Sequence, residues 1–418
     1  MASINQLWQT PFADAPVDGR VHVPGSKSEA NRALLLAALS DGPSTIGGLP
    51  TSRDTSLMTD ALRALGTVIE GSNVRPPECF QGGADIDCGL AGTVMRFVPP
   101  LAMLADGPTR FHGDARASER PLTPLLSALR ALGAEITADC VPLALTPPKI
   151  WNDGAVTIDA SQSSQFVSGL LLAGAQFPNG LDLRHEGATL PSRPHIDMTI
   201  AMLAAHGAQV DEPEPNHWTV APGALRAVDT VVEPDLTNAA AFLLAGVLTG
   251  GRSTVAHWPS TTTQPGALIL QIIESFGGWW QRDDDAMTAG ANQPLTGCNV
   301  DLSAASELTP VVAALAAAAN GPSRLTGIGH IRGHETDRLA AIHNALAAVG
   351  VPSGVDEDGL TIEGGQARHG GVIDSADDHR MVHLGALLGL VTPDVQVARA
   401  QAVAKTMPNF LTVWESLV

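Results

Sequence analysis

The stretch Leu62-Arg63-Ala64-Leu65-Gly66 returns as Leu129-Arg130-Ala131-Leu132-Gly133, and in looser form as Leu203-Ala204-Ala205-His206-Gly207, Ile273-Glu274-Ser275-Phe276-Gly277 and Leu346-Ala347-Ala348-Val349-Gly350. Each copy reads as the end of a helix, a glycine suited to the left-handed turn that closes it, and a β-prone segment beyond. The copies stand about 70 residues apart, and one more interval reaches the chain end, where residues 410–418 supply a sixth helix without its glycine. A second helix series keeps the same period, opening near Lys27, Thr93, Ser164, Asn238, Glu307 and His379. Six copies of a two-helix unit account for the chain.

Strand-like runs such as 155–158, 181–183 and 228–232 fall between the helices. The handedness rule for crossovers makes each copy a β-α-β-type unit, so the fold class is α/β. A unit this long exceeds ordinary solenoid repeats and predicts a few units closing around a pseudo-threefold axis. The acidic runs Asp283-Asp284-Asp285 and Asp356-Glu357-Asp358 read as solvated hairpin tips.

At 418 residues the chain is too long for one core, so two domains are expected. A formal charge of −19 argues against nucleic acid or an anionic membrane as partner, so an anionic ligand needs a local basic cluster. Cys79, Cys88, Cys140 and Cys298 show neither C-x-x-C nor metal-ligand spacing, which predicts free thiols and no structural zinc. The first residues lack a basic and apolar leader pattern, and apolar runs such as 311–319 are too short to span a bilayer. The expectation is a cytoplasmic monomer acting on small molecules.

The chemistry gathers at the helix starts. Pro24-Gly25-Ser26-Lys27-Ser28-Glu29 breaks the preceding segment and sets a capping box, Ser26 with Glu29, which leaves Lys27 and Ser28 beside free backbone N–H groups. Arg32 adds a planar fork one turn on. The Walker A spacing is absent. Of 24 Lys plus Arg only Lys27, Lys149 and Lys405 are lysine, so a compact titratable ammonium stands out against the arginines. Capping explains Asp54, Asp235 and Ser192 at such positions. It does not explain Lys27, Arg96, Arg120, Arg338, Arg380 and Lys405, which oppose the helix dipole unless an anion is shared among them.

The segments Pro24-Gly25-Ser26-Lys27-Ser28 with Asn31-Arg32, Gly89-Leu90-Ala91-Gly92-Thr93-Val94-Met95-Arg96, Glu119-Arg120-Pro121, Ser163-Ser164-Gln165-Phe166, Glu335-Thr336-Asp337-Arg338, Asp378-His379-Arg380-Met381 and Ala404-Lys405-Thr406 resemble, in order and from end to end, those of the 5-enolpyruvylshikimate-3-phosphate synthase family. The resemblance implies a two-domain inside-out α/β barrel built from six β-α-β-α-β-β units, three per domain. The domains would be residues 1–22 with 234–418 and an inserted 23–233, with the active site in the cleft between them. It also implies transfer of the enolpyruvyl group of phosphoenolpyruvate to the 5-hydroxyl of shikimate 3-phosphate, by addition and elimination without a metal or other cofactor.

By matching motifs, Lys27, Gly92, Arg120, Gln165, Arg338, Arg380 and Lys405 would surround phosphoenolpyruvate. Ser28 and Arg32 would hold the shikimate carboxylate, and Ser163, Ser164 and Ser192 its phosphate, with Lys27, Gln165, Glu307 and His334 also on that substrate. Glu307 and Glu335 are the proton-transfer candidates, assisted by Lys27 and Lys405. Glyphosate, which inhibits this family at the phosphoenolpyruvate site, is the expected inhibitor.

The chain departs from the commoner family pattern on the shikimate side, where Leu90 replaces Asn, His195 Tyr, Glu307 Asp, His330 Asn and His334 Lys. His334 is expected to titrate near neutrality. His334-Glu335-Thr336-Asp337-Arg338 fails the H-E-x-x-H zinc pattern at its last position. The alternatives are a sister transferase acting on UDP-N-acetylglucosamine, an RNA 3′-phosphate cyclase-like protein, and a non-catalytic anion binder. The first is disfavoured because residues 113–121 lack the reactive cysteine of that family, the second by the acidic balance, and the third by Glu307 and Glu335.

Overall fold

A computed structural model describes residues 7–418. The chain divides into two compact units, one running from Gly25 to Val232 and the other joining the residues up to Pro24 to Glu233–Val418. Twelve α-helices occur among the described residues. In the inserted unit they are α1 (Lys27–Leu39), α2 (Arg53–Ala64), α3 (Gly92–Ala102), α4 (Thr123–Ala131), α5 (Gln165–Gly174) and α6 (Pro194–Ala205). The other unit holds α7 (Leu236–Thr249), α8 (Ile269–Ser275), α9 (Thr309–Ala318), α10 (Arg338–Ala348), α11 (His379–Leu390) and α12 (Phe410–Glu415).

The repeat is plainest in the third copy. Strand Ala155–Ile158 leads through α5 to Leu181–His185, its parallel neighbour; α6 follows, and the hairpin Val210–Glu214 with His217–Val220 pairs back antiparallel. Five sheets have this four-stranded order and the sixth shows three described strands. Two sheets borrow a strand from far along the chain: Thr230–Val231 runs parallel to Ser44–Gly47, and Asp18–Val21 parallel to Arg252–Val255. Leu7–Gln9 completes the last sheet against Val395–Ala398. The glycines that mark the repeat, Gly66, Gly133, Gly207, Gly277 and Gly350, all have positive φ directly after α2, α4, α6, α8 and α10. Both acidic runs lie at hairpin turns.

The two helix series differ in burial. Every residue of α3 and α11 is buried, whereas α2 buries only five of its twelve residues, on one face. A helix buried all round belongs inside. In the inserted unit α1, α3 and α5 pack on one another, as α7, α9 and α11 do in the other, with the sheets outside and a separate apolar core in each. Gly169 sets the spacing of one such contact, because a Cβ there would lie 2.2 Å from the Arg96 carbonyl oxygen. Full burial of each core leucine contributes about 1.5–3 kcal/mol. Among the described residues no helix is long and apolar enough to cross a membrane.

Candidate active site

In the inserted unit the site is built from the starts of α1, α3 and α5 and the segments before α4 and α6. Ser26 caps α1 by accepting from the Glu29 N–H (3.4 Å), which puts Lys27 at the first helical residue. The Lys27 ammonium lies 3.2 Å from the Asp54 carboxylate, which is 3% exposed. Asp54 is therefore not a helix cap; Ser52 caps α2, and Asp54 turns inward to the lysine. Capping potential hid this residue in the sequence, although its place beside Arg53 at a helix start in the second series was the available signal.

Arg32 is buried. Its Nε donates to Thr199 Oγ1 (2.7 Å), Nη1 to the Ser28 carbonyl (2.8 Å), and Nη2 to the His195 carbonyl (3.0 Å) and Ser168 Oγ (3.3 Å), all neutral acceptors. The guanidinium stacks over Phe97, 5.0 Å from the ring centroid, and burial pushes it down to about 9. A cation held this way lacks full compensation and attracts an anion. Ser28 lies beside it at the α1 start.

Gly92 is the first residue of α3. The Arg120 Nη1 donates to the Leu90 carbonyl (2.9 Å), while Arg96 donates to Gln165 Oε1 (3.0 Å) and to the Pro121 carbonyl (3.0 Å). Gly92, Arg96, Arg120 and Gln165 are thus neighbours, and a Cβ on Gly92 would meet both guanidinium groups. Ser163 Oγ accepts from the Gln165 N–H and Ser164 is buried at the α5 start. Ser192 has φ +53°, and its carbonyl accepts from the His195 N–H (3.0 Å) at the start of α6. Arg193 beside it is turned to Glu212 and Asp197.

The other unit gathers charge around Arg338, whose side chain is 1% exposed. Nε donates to Asp378 Oδ2 (2.7 Å), Nη1 to Glu307 Oε2 (2.8 Å), and Nη2 to Glu335 Oε2 (2.7 Å) and Asp378 Oδ1 (3.3 Å). Lys405 donates to Glu335 Oε1 at 2.5 Å, and Arg380 bonds Asn238 Oδ1 (3.2 Å) with its Nε 3.5 Å from Glu307. Burial opposes ionisation of Glu307, but the Arg338 guanidinium, and after it that of Arg380, overturn it and hold the carboxyl well below its ordinary value. Asp378 takes part as well, and the motif Asp378-His379-Arg380-Met381 alone gives no sign of that role.

His334 behaves differently from the sequence expectation. Its Nδ1 faces Arg338 Nη1 at 2.8 Å, and arginine only donates, so this nitrogen is an acceptor. Burial first, and then the Arg338 charge, push His334 down to about 3, so it is neutral at physiological pH rather than titrating there. Burial likewise pushes His330 to about 4; its Nε2 lies 3.0 Å from Ser306 Oγ. Glu335, Asp378 and His379 bring possible metal-ligand atoms within 4.8 Å of one another, but Arg338 engages both carboxylates and its charge stands where a cation would.

Buried cations, several of them at helix starts, set beside the ionised Glu307 and the carboxyl groups of Glu335 and Asp378, suit the transfer of a phosphate-bearing group with proton movement. The fold is that of the enolpyruvyl transferases. EPSP synthase of Acinetobacter baumannii is 24% identical, with a TM-score of 0.81 over 99% of this chain and 98% of that one. The enolpyruvyl transferase NikO of Streptomyces tendae is 18% identical, with a TM-score of 0.78 over 98% and 97%. A curated relative from Mycobacterium ulcerans (strain Agy99), 3-phosphoshikimate 1-carboxyvinyltransferase, is 46% identical over 433 aligned positions, covering 100% of this chain and 99% of that protein. The profile of EPSP synthase (3-phosphoshikimate 1-carboxyvinyltransferase) matches residues 13–414, and the chain belongs to that family.

Proposed function

We propose that this chain transfers the enolpyruvyl group of phosphoenolpyruvate to the 5-hydroxyl of shikimate 3-phosphate and releases phosphate, as a step of the shikimate pathway. The observation that carries the reading is the set of cations: in one unit Lys27 at the start of α1 and Arg120 just before α4, and in the other Arg338 and Arg380 at the starts of α10 and α11 with Lys405 at the end of a 3-10 turn, these last three beside the carboxylates Glu307 and Glu335. Family membership names the reaction.

Phosphoenolpyruvate is held by Lys27, Gly92, Arg120, Gln165, Arg338, Arg380 and Lys405. The shikimate carboxylate lies on Ser28 and Arg32, and its phosphate on Ser163, Ser164 and Ser192. Glu307, ionised at neutral pH, is suited to accept the proton of the attacking hydroxyl, with neutral His334 beside it. The hydrogen-bonded pair Lys405–Glu335 is suited to deliver a proton to the methylene carbon as the C–O bond forms at C2. In the second step a methyl proton is removed and phosphate departs against the arginines, whose charge stabilises the developing anion. Glyphosate competes for the phosphoenolpyruvate subsite.

Phosphate release from phosphoenolpyruvate is the test, run with shikimate 3-phosphate and separately with UDP-N-acetylglucosamine as acceptor. Release with the first acceptor alone supports the reading, and release with the second alone replaces it with the sister activity.

A further inference from the structure

Asp378 has no solvent exposure, and its two oxygens serve two different arginines. Oδ1 accepts the backbone N–H of Arg380 (2.9 Å), which caps α11, and also accepts from Arg338 Nη2 (3.3 Å). Oδ2 accepts from Arg338 Nε (2.7 Å). The carboxylate therefore grips the Nε/Nη2 edge of Arg338 as a fork. That grip leaves Nη1 and the second Nη2 proton for Glu307, His334 and Glu335. Arg338 begins α10 and Arg380 is the second residue of α11, so one side chain ties together arginines from successive repeats.

A buried ion pair is weak evidence for stability, because desolvation offsets most of the attraction. Burial pushes the Asp378 carboxyl up from its ordinary value against the pull of Arg338. Geometry is what the pair supplies: a planar guanidinium held on one edge has a fixed opposite edge.

We infer that Asp378 is a positioning residue for the phosphoenolpyruvate subsite, fixing Arg338 by its inner edge and Arg380 by the helix start. Glu307 and Glu335 are then the exchangeable partners of Arg338, displaced when the substrate's oxygens take its outer edge. The inference rests on the functional reading above and goes beyond it by separating the carboxylate that stays from the two that are released.

Asp378→Asn tests it. Asparagine caps a helix as well as aspartate, and its oxygen still accepts from the Arg380 N–H, so α11 stays closed. Its amide nitrogen, however, meets the Arg338 Nε–H donor to donor, and the fork opens. Charge alone predicts that removing a negative group near an anion site tightens phosphoenolpyruvate binding. Positioning predicts the opposite: KM for phosphoenolpyruvate rises at least tenfold and KM for shikimate 3-phosphate moves less than about twofold, in a variant that circular dichroism and melting show to be folded at the assay temperature even though the opened pair lowers its melting temperature. In an Arg338→Gln background the same substitution has no further effect on KM for phosphoenolpyruvate, since Asp378 acts through that arginine. An unchanged or lowered KM for phosphoenolpyruvate in the folded variant overturns the inference. So does loss of folding in both Asp378→Asn and the alternative cap Asp378→Ser, which would make the residue a structural one. The unsubstituted protein's activity is measured first, so failure of the functional reading is seen separately.

Discussion

Gly92→Ala places one methyl group against two cations. Gly92 is not among the residues with positive φ, so alanine meets no backbone strain there and the fold should survive. Its Cβ would lie 2.9 Å from Arg96 Nη1 and 3.1 Å from both Arg120 Nη atoms, where ordinary contact begins at 3.4 Å. The guanidinium groups must retreat by about 0.3–0.5 Å. For an anion about 3 Å from Arg120 at an effective dielectric constant near 20, a retreat of about 0.3 Å costs roughly 0.5 kcal/mol, or about twofold in affinity. KM for phosphoenolpyruvate should rise by about that factor. Glyphosate is slightly longer than the substrate and meets the methyl as well as the displaced arginine. A further steric cost of about 1.4 kcal/mol would raise its inhibition constant another tenfold. Phosphate release at varied substrate and inhibitor concentrations reads both constants, with circular dichroism and melting to show the variant folded. Equal factors for substrate and inhibitor in a folded variant would refute the placement of Gly92 against the phosphoenolpyruvate subsite.

Lys27→Met and Lys405→Met should each lower turnover at least about a hundredfold, the usual scale for losing a proton carrier or transition-state charge contact, while exposed Lys149→Met should leave the rate near normal in the same assay. Asp54→Asn leaves α2 capped by Ser52 but removes the carboxylate beside Lys27. We expect kcat/KM to fall by about tenfold at an unchanged melting temperature, the loss typical of an orienting partner. His334 has a folded-state pKa near 3, below its unfolded value, so the unfolded chain binds the extra proton and stability falls as pH drops below about 6.5. Between pH 7.5 and 5.5 the unsubstituted protein should lose about 1.4 kcal/mol more than His334→Gln by urea denaturation, and equal losses would show that His334 is protonated in the folded state.

The repeat is legible along the chain because its signals are local. A glycine that must adopt positive φ after a helix, and Ser26 three residues before Glu29, act within a single turn of chain and are legible without knowing what packs on them. The same locality put Lys27, Arg338 and His379-Arg380 at helix starts, since each follows a residue able to cap. It could not say that Thr230–Val231 completes a sheet with Ser44–Gly47, because strand pairing across nearly the whole inserted unit leaves no short-range trace.

The charge state of the site was decided by tertiary structure alone. In sequence His334 is an imidazole of ordinary pKa; in the fold, burial and the Arg338 guanidinium make it a neutral acceptor. Asp54 and Asp235 both read as caps, yet Asp235 caps α7 while Asp54 pairs with Lys27. The choice depends on which way each side chain faces once the helices have packed. The ring of Glu307, Glu335 and Asp378 around Arg338 likewise joins residues from separate repeats, and only their convergence in space shows which cation each carboxylate holds. Desolvation and Coulomb terms act through distance and burial, and a linear sequence specifies neither until the chain has closed on itself.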